Sequence, residues 1–136
     1  MVSPFEELIG YQLRRASGAM SSELARSLDT LGLRTGEAAV LLLIGERPHI
    51  TQSEIGRELS IKRANMAPLA AGLERRGLIR RARVDGRSHG LSLTEEGLRT
   101  AESVRAIMYA MDERFLARLD PEQRAMLRSM LHTVWA

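Results

Sequence analysis

Cysteine is absent from the 136 residues. Disulfides, thiolate metal sites and any redox sensor built on a thiol are thereby excluded. Long apolar runs are missing too. The longest, Ala38 to Ile44, falls far short of the ~20 apolar residues that a membrane helix needs. The opening stretch, Val2-Ser3-Pro4-Phe5-Glu6-Glu7, lacks the basic and then apolar regions of a secretory leader. The expectation is a cytoplasmic protein without membrane contact. His49, His89 and His132 lie far apart and do not gather with one another into a ligand set, so no metal is expected. There is no nucleophile–base pair, phosphate-cradling glycine loop or carboxylate cluster, so neither catalysis nor a cofactor is expected. Repeats and low-complexity segments are also lacking.

What remains is an ordinary globular composition, 44% hydrophobic and 27% charged, in a chain that fits one domain with a real core. The net charge of +3 is unevenly spread. Between Arg47 and Gly90 ten basic residues face four acidic ones, a local +6, while the rest of the chain carries −3. A cationic middle between mildly acidic flanks suits a partner made of phosphates.

Periodicity and punctuation give the elements. Ser3-Pro4-Phe5-Glu6 reads as a capping box with proline at the first helical position. It opens a helix ending at Gly32, ~40 Å long at 1.5 Å per residue. Its apolar stripe, Phe5, Leu8, Ile9, Leu13, Ala16, Met20, Leu24, Leu28 and Leu31, is too long to be hidden within one chain of this size. A second helix starts near Thr35 and stops at Arg47-Pro48-His49. Thr51-Gln52-Ser53-Glu54 is another capping box, opening a short helix with Ile55 and Leu59 inward. Ser60 is expected to cap the next helix, with Met66, Leu69, Ala70 and Leu73 inward and Gly77 at its end. Leu78–Val84 and Leu91–Leu93 read as strands joined by a connection carrying the Asp85-Gly86 hairpin signal. Thr94 caps a long helix to Leu119, and Asp120-Pro121-Glu122-Gln123 starts the last. Met108, Met111, Met126 and Met130 fall at helical spacing, as core or dimer packing requires.

Helix, tight turn, helix and β-hairpin in this order make a winged helix-turn-helix. A helix of ordinary diameter fits the major groove, and its first turn reaches the base edges. That turn offers Ser60, Lys62, Arg63 and Asn65. Arg63 suits guanine O6 and N7, and Asn65 suits adenine N6 and N7. Gln52 and Ser53 stand at a helix start that favours phosphate. Of Arg80, Arg81 and Arg83, which alternate across a strand, Arg83 is nearest the tip. Arg87, with Ser88 and His89, is placed to enter the minor groove, and a salt bridge from Asp85 to Arg87 would orient it. Pro68 removes one helical hydrogen bond and is expected to bend the recognition helix, so the contacts before it count most.

The chain resembles the MarR (multiple antibiotic resistance regulator) family of transcription factors. Thr51-Gln52-Ser53-Glu54-Ile55-Gly56, Leu73-Glu74-Arg75-Arg76-Gly77-Leu78-Ile79 and the wing Asp85-Gly86-Arg87 carry the resemblance, with Leu91-Ser92-Leu93-Thr94-Glu95-Glu96-Gly97 after the wing. The resemblance implies a mainly helical fold with a small β-hairpin, the winged module at 35–95 and dimerisation helices at 3–32 and 96–136. It implies a homodimer that reads a pseudo-palindrome on double-stranded DNA, usually as a repressor released by a small aromatic or anionic effector. The relatives that sense peroxide do so through cysteine, a route closed here. An effector pocket is expected where the dimer helices meet the DNA-binding lobe. Tyr11 and Arg15, one turn apart, are candidates to stack an aromatic ring and bind its carboxylate. The alternative is a winged helix used for protein contact, its basic middle meeting an acidic partner.

Overall fold

The computed structural model describes residues 3–136, where six helices and three short strands follow in the order α1 (Ile9–Asp29), α2 (Thr35–Glu46), β1 (Ile50–Thr51), α3 (Gln52–Leu59), α4 (Arg63–Arg75), β2 (Ile79–Arg83), β3 (His89–Leu93), α5 (Glu95–Phe115) and α6 (Pro121–Trp135). The sheet is antiparallel in the order β1-β3-β2. Ile79 stands opposite Leu93 and Arg83 opposite His89, while Ile50 stands opposite Leu91. The mainly helical, winged helix-turn-helix fold expected from the sequence is therefore the one observed.

One core holds the α2, α3, α4 and sheet region together. Leu28, Leu41, Ile44, Ile55, Leu73, Leu91 and Val104 are fully buried, drawn from six different elements. Each such side chain contributes about 1.5–3 kcal/mol by leaving water. The flanking helices are different. Leu28 is the sole buried residue of α1, and α6 has none. Ile9, Tyr109, Met126, Met130, Val134 and Trp135 stay exposed. A face this apolar, on helices at both ends of the chain, marks a surface that a partner covers.

The sequence Leu93-Thr94-x-x-Gly97 welds α5 to the winged module. The Thr94 hydroxyl accepts from the Gly97 amide at 3.0 Å and donates to the Gly77 carbonyl at 2.5 Å. The Thr94 amide donates to the Leu78 carbonyl at 3.0 Å. A Cβ on Gly97 would lie 1.9 Å from the Leu78 carbonyl oxygen, so only glycine permits this approach.

Several boundaries differ from the sequence reading. Ser3-Pro4-Phe5-Glu6 forms a separate turn, not a capping box, and α1 starts at Ile9 without a side-chain cap. The Ser3 hydroxyl accepts from the Phe5 amide two residues on, at 3.3 Å, a local bond that competes with helix capping. At 21 residues α1 spans ~32 Å rather than ~40 Å. It ends at Asp29, where the Leu33 amide closes onto the Leu28 carbonyl at 3.2 Å and Gly32 takes φ +64°. Ser60 does not cap α4. It ends α3 in the left-handed conformation, φ 55°, and Lys62 occupies the N-cap position of α4 without a side-chain bond. His89 and Gly90, read as connection, belong to β3, and β1 was not foreseen at all. Helix α4 runs unbroken through the exposed Pro68.

Candidate nucleic-acid interface

The helix-turn-helix is set by two dissimilar helix starts. At α3 the Thr51 hydroxyl accepts from the Glu54 amide at 3.3 Å, and the Glu54 carboxylate accepts from the Thr51 amide at 2.9 Å. That amide holds the Glu54 carboxyl below its ordinary value, so the α3 terminus carries its own anion. The start of α4 has no such neutralisation. Its first turn contains no acidic residue and its N-cap side chain makes no bond. The positive end of that helix dipole is thus open to a phosphate. This reverses the emphasis of the sequence reading, which placed the anion-favouring terminus at Gln52 and Ser53.

Lys62, Arg63, Asn65 and Ser60 are all exposed around this α4 start. Between α3 and α4 lies a crevice of about 510 Å³ lined by Gln52, Ser53, Arg57, Arg63 and Met66 among others. Arg57 was not singled out from the sequence. It lies one turn beyond Ser53 on the same helix, and helical spacing alone would have found it. Gln52 is held in place: its side-chain oxygen accepts from Arg81 at 2.5 Å, and Arg81 also pairs with Glu74 at 3.1 Å. Arg81 is therefore a brace joining α3, α4 and β2.

Other arginines of the cationic middle are likewise committed. Arg47 pairs with Glu58. Arg76 donates to the carbonyls of Gly32 and Leu31 at 2.9 and 3.1 Å. Among the described residues of this stretch, Arg57, Lys62, Arg63, Arg75, Arg80, Arg83 and Arg87 enter no ion pair, and of these only Arg75, at the far end of α4, lies away from the α3–α4 turn and the wing. The cations left over for a ligand thus cluster at the recognition-helix start and on the wing.

The wing tip is ordered by Asp85, but not through the expected salt bridge. Its carboxylate accepts from the backbone amides of Arg87 and Ser88, both at 2.8 Å, and these bonds hold the carboxyl below its ordinary value. The two amides lie nearer than the long, flexible guanidinium, so they take the carboxylate first. Arg87 is left projecting from a fixed turn, beside a half-buried Ser88. His89 faces Arg83 across the hairpin, both exposed.

A second cleft, of about 440 Å³, lies where α1, α2 and α5 meet. Leu24, Leu42, Met108 and Met111 supply its apolar wall, and Glu46, Arg105, Tyr109 and Asp112 its rim. Arg105 spans it to Glu46 at 3.2 Å. Tyr11 and Arg15 do come together, with the guanidinium 5.9 Å from the ring centroid. They stand on the first turns of α1, beside Phe5, and neither lines this cleft.

The sequence pattern that defines the MarR family matches residues 31–88. The HTH-type transcriptional repressor Rv2887 of Mycobacterium tuberculosis is 32% identical over 125 residues, covering 90% of each chain. The structure of Rv2887 with salicylic acid has a TM-score of 0.74 at 30% identity, over 93% of this chain and 95% of that one. The transcriptional repressor CouR bound to a 23-mer DNA duplex has a TM-score of 0.89 at 32% identity, over 100% of this chain and 98% of that one. CouR bound to p-coumaroyl-CoA has a TM-score of 0.82 at 32% identity, over 98% and 96%.

Proposed function

This chain belongs to the MarR family of transcription regulators, and from that premise we propose that it is a cytoplasmic, homodimeric repressor without catalytic activity of its own. It binds a pseudo-palindromic operator and lets go when a small molecule binds. The observation that carries the reading is the distribution of uncommitted charge. Within the cationic middle, the cations without an acidic partner lie, Arg75 and the carbonyl-bound Arg76 apart, beside the α3–α4 turn and on the wing, the two places where a winged module meets the major and minor grooves.

Each half of the dimer lays α4 in the major groove. Arg63 and Asn65 read base edges, and Lys62 and Ser60 hold phosphate. Ser53, with Gln52 fixed by Arg81, supports the backbone contacts from α3. Arg87, set by the Asp85 turn and flanked by Ser88 and His89, enters the adjacent minor groove, with Arg83 against the phosphates behind it. Residues 3–32 and 96–136 supply the dimer helices and 35–95 the DNA-binding lobe. The exposed apolar faces of α1, α5 and α6 support that division, because they need a second copy to cover them.

The cleft between α1, α2 and α5 is the effector site. It joins a dimer helix, α5, to the lobe that carries α4, so an occupant that wedges α2 from α5 changes the spacing of the two recognition helices. Operator half-sites are rigid at ~10 bp centre to centre, so a changed spacing lowers affinity for both at once. The test is footprinting on DNA upstream of the chain's own gene. Two protected half-sites with that spacing, occupied by one dimer, agree with the reading. Protection of no sequence over competitor, anywhere in a genome-wide selection, contradicts it.

A further inference from the structure

The lining of the α1–α2–α5 cleft has a charge pattern that selects among effectors. Its ionisable groups are two carboxylates, Glu46 and Asp112, and one guanidinium, Arg105. Arg105 is already satisfied by Glu46 at 3.2 Å. Asp112 enters no ion pair among the described residues. The cleft thus keeps one negative charge in excess. Resting on the effector-site reading above, we propose that it takes an amphipathic cation, an aromatic or alkyl amine, in preference to the carboxylates such as salicylic acid that a relative binds.

The geometry supports this from three sides. Arg105, Met108, Tyr109 and Asp112 lie at i, i+3, i+4 and i+7 of α5 and so share one face, which spans ~10 Å from the ion pair to the free carboxylate. An ammonium placed at Asp112 meets an unpartnered acceptor at one end. The apolar body then lies over Leu24, Leu42, Met108 and Met111, whose unbranched thioethers adapt to a ring or a chain. Tyr109, which lines the same cleft one turn from Asp112, adds an aromatic ring beside the cation. A carboxylate guest fares worse at every point. It has to displace Glu46 from Arg105, and it leaves three negative groups against one positive along one cleft.

The test uses three indole derivatives of nearly one shape: tryptamine (cationic), tryptophol (neutral) and indole-3-acetate (anionic), with salicylate as a fourth. Each is titrated calorimetrically into the purified full-length dimer, whose operator binding without ligand is measured on the same preparation. Tryptamine is expected to bind at least about tenfold more tightly than indole-3-acetate, with tryptophol between them. Asp112→Asn should bring tryptamine to the level of tryptophol, and Asp112→Lys should reverse the order of tryptamine and indole-3-acetate, in variants whose helical circular dichroism is unchanged. The proposal is overturned if either carboxylate equals tryptamine, if none of the four binds, or if Asp112→Lys leaves the order as it was. Failure of the ligand-free protein to hold an operator would instead overturn the regulator reading.

Discussion

Asp85 and Arg87 divide the wing between them, one shaping the turn and the other left free to reach. The Asp85-Gly86 hairpin signal and the arginine were both legible, but the bond between them was not. From sequence a carboxylate two residues before a guanidinium suggests an ion pair, whereas in the turn the Arg87 and Ser88 amides claim it at 2.8 Å. Arg87→Ala should weaken operator binding by ~1–3 kcal/mol while leaving thermal stability unchanged. Asp85→Ala should weaken it too, with the Arg87 side chain intact, because the turn that aims it is lost. Electrophoretic shifts at matched salt check both, and an Asp85→Ala protein with wild-type affinity contradicts this account of the wing. Ser60 shows why helix caps are hard to place across a tight turn. A serine between two helices can end the first or start the second, and here its left-handed backbone assigns it to α3.

The elements with complete start signals were legible, and those with ambiguous ones were not. The Thr51 and Asp120 capping boxes open α3 and α6 at the residues the sequence indicates. The Ser3 signal failed because Pro4 and a local hydroxyl bond make a turn that Leu8, in extended conformation, separates from α1. Strand β1, at two residues, is too short to leave any periodicity. Helix α4 absorbs Pro68 on its exposed side, where the Ala64 carbonyl that loses a donor can turn to water. Pro68→Ala should therefore raise stability, by about 1–3 kcal/mol in urea unfolding, since proline costs ~3 kcal/mol in a helix interior. A loss of stability would show that the proline is favoured by its surroundings.

Between α1 and α5, Glu23 accepts from Arg114 at 2.8 Å and Arg26 at 2.6 Å. Arg114 first, and then Arg26, lower its carboxyl from 4.5 to about 2. A carboxyl depressed on folding stabilises the fold above its unfolded value, and that stability is lost as it protonates on the way down. Between pH 4.5 and about 2 the wild type should thus lose more thermal stability than Glu23→Gln. Parallel melting curves for the two proteins across this range would exclude the clamp.

At the scale of the whole molecule the chain has one basic face and one apolar one. The basic face was legible as an excess of charge in the middle third, although the sequence could not show that Arg47, Arg76 and Arg81 are spent on internal bonds. The apolar face was legible as a stripe too long for one chain, and α6, with no residue buried, states the same need. Tyr11 and Arg15, the residues the sequence offers for an effector, sit at the far end of α1 and do not line the α1–α2–α5 cleft, and Glu46 joins Arg105 and Asp112 there only through the packing of α2 on α5. No spacing along a sequence reveals that.

The central claim is that a dimer holds DNA through uncommitted cations at two places in each copy. Its most direct measurement is the affinity for upstream intergenic DNA across a salt series, with random competitor present. The account predicts sequence-specific binding by one dimer, with log K falling steeply against log salt at a slope of about −0.9 for each phosphate neutralised, and a shallower slope for Lys62→Ala. Binding no tighter than to competitor, or with a slope that Lys62→Ala leaves unchanged, would contradict it and favour a winged helix that meets an acidic protein.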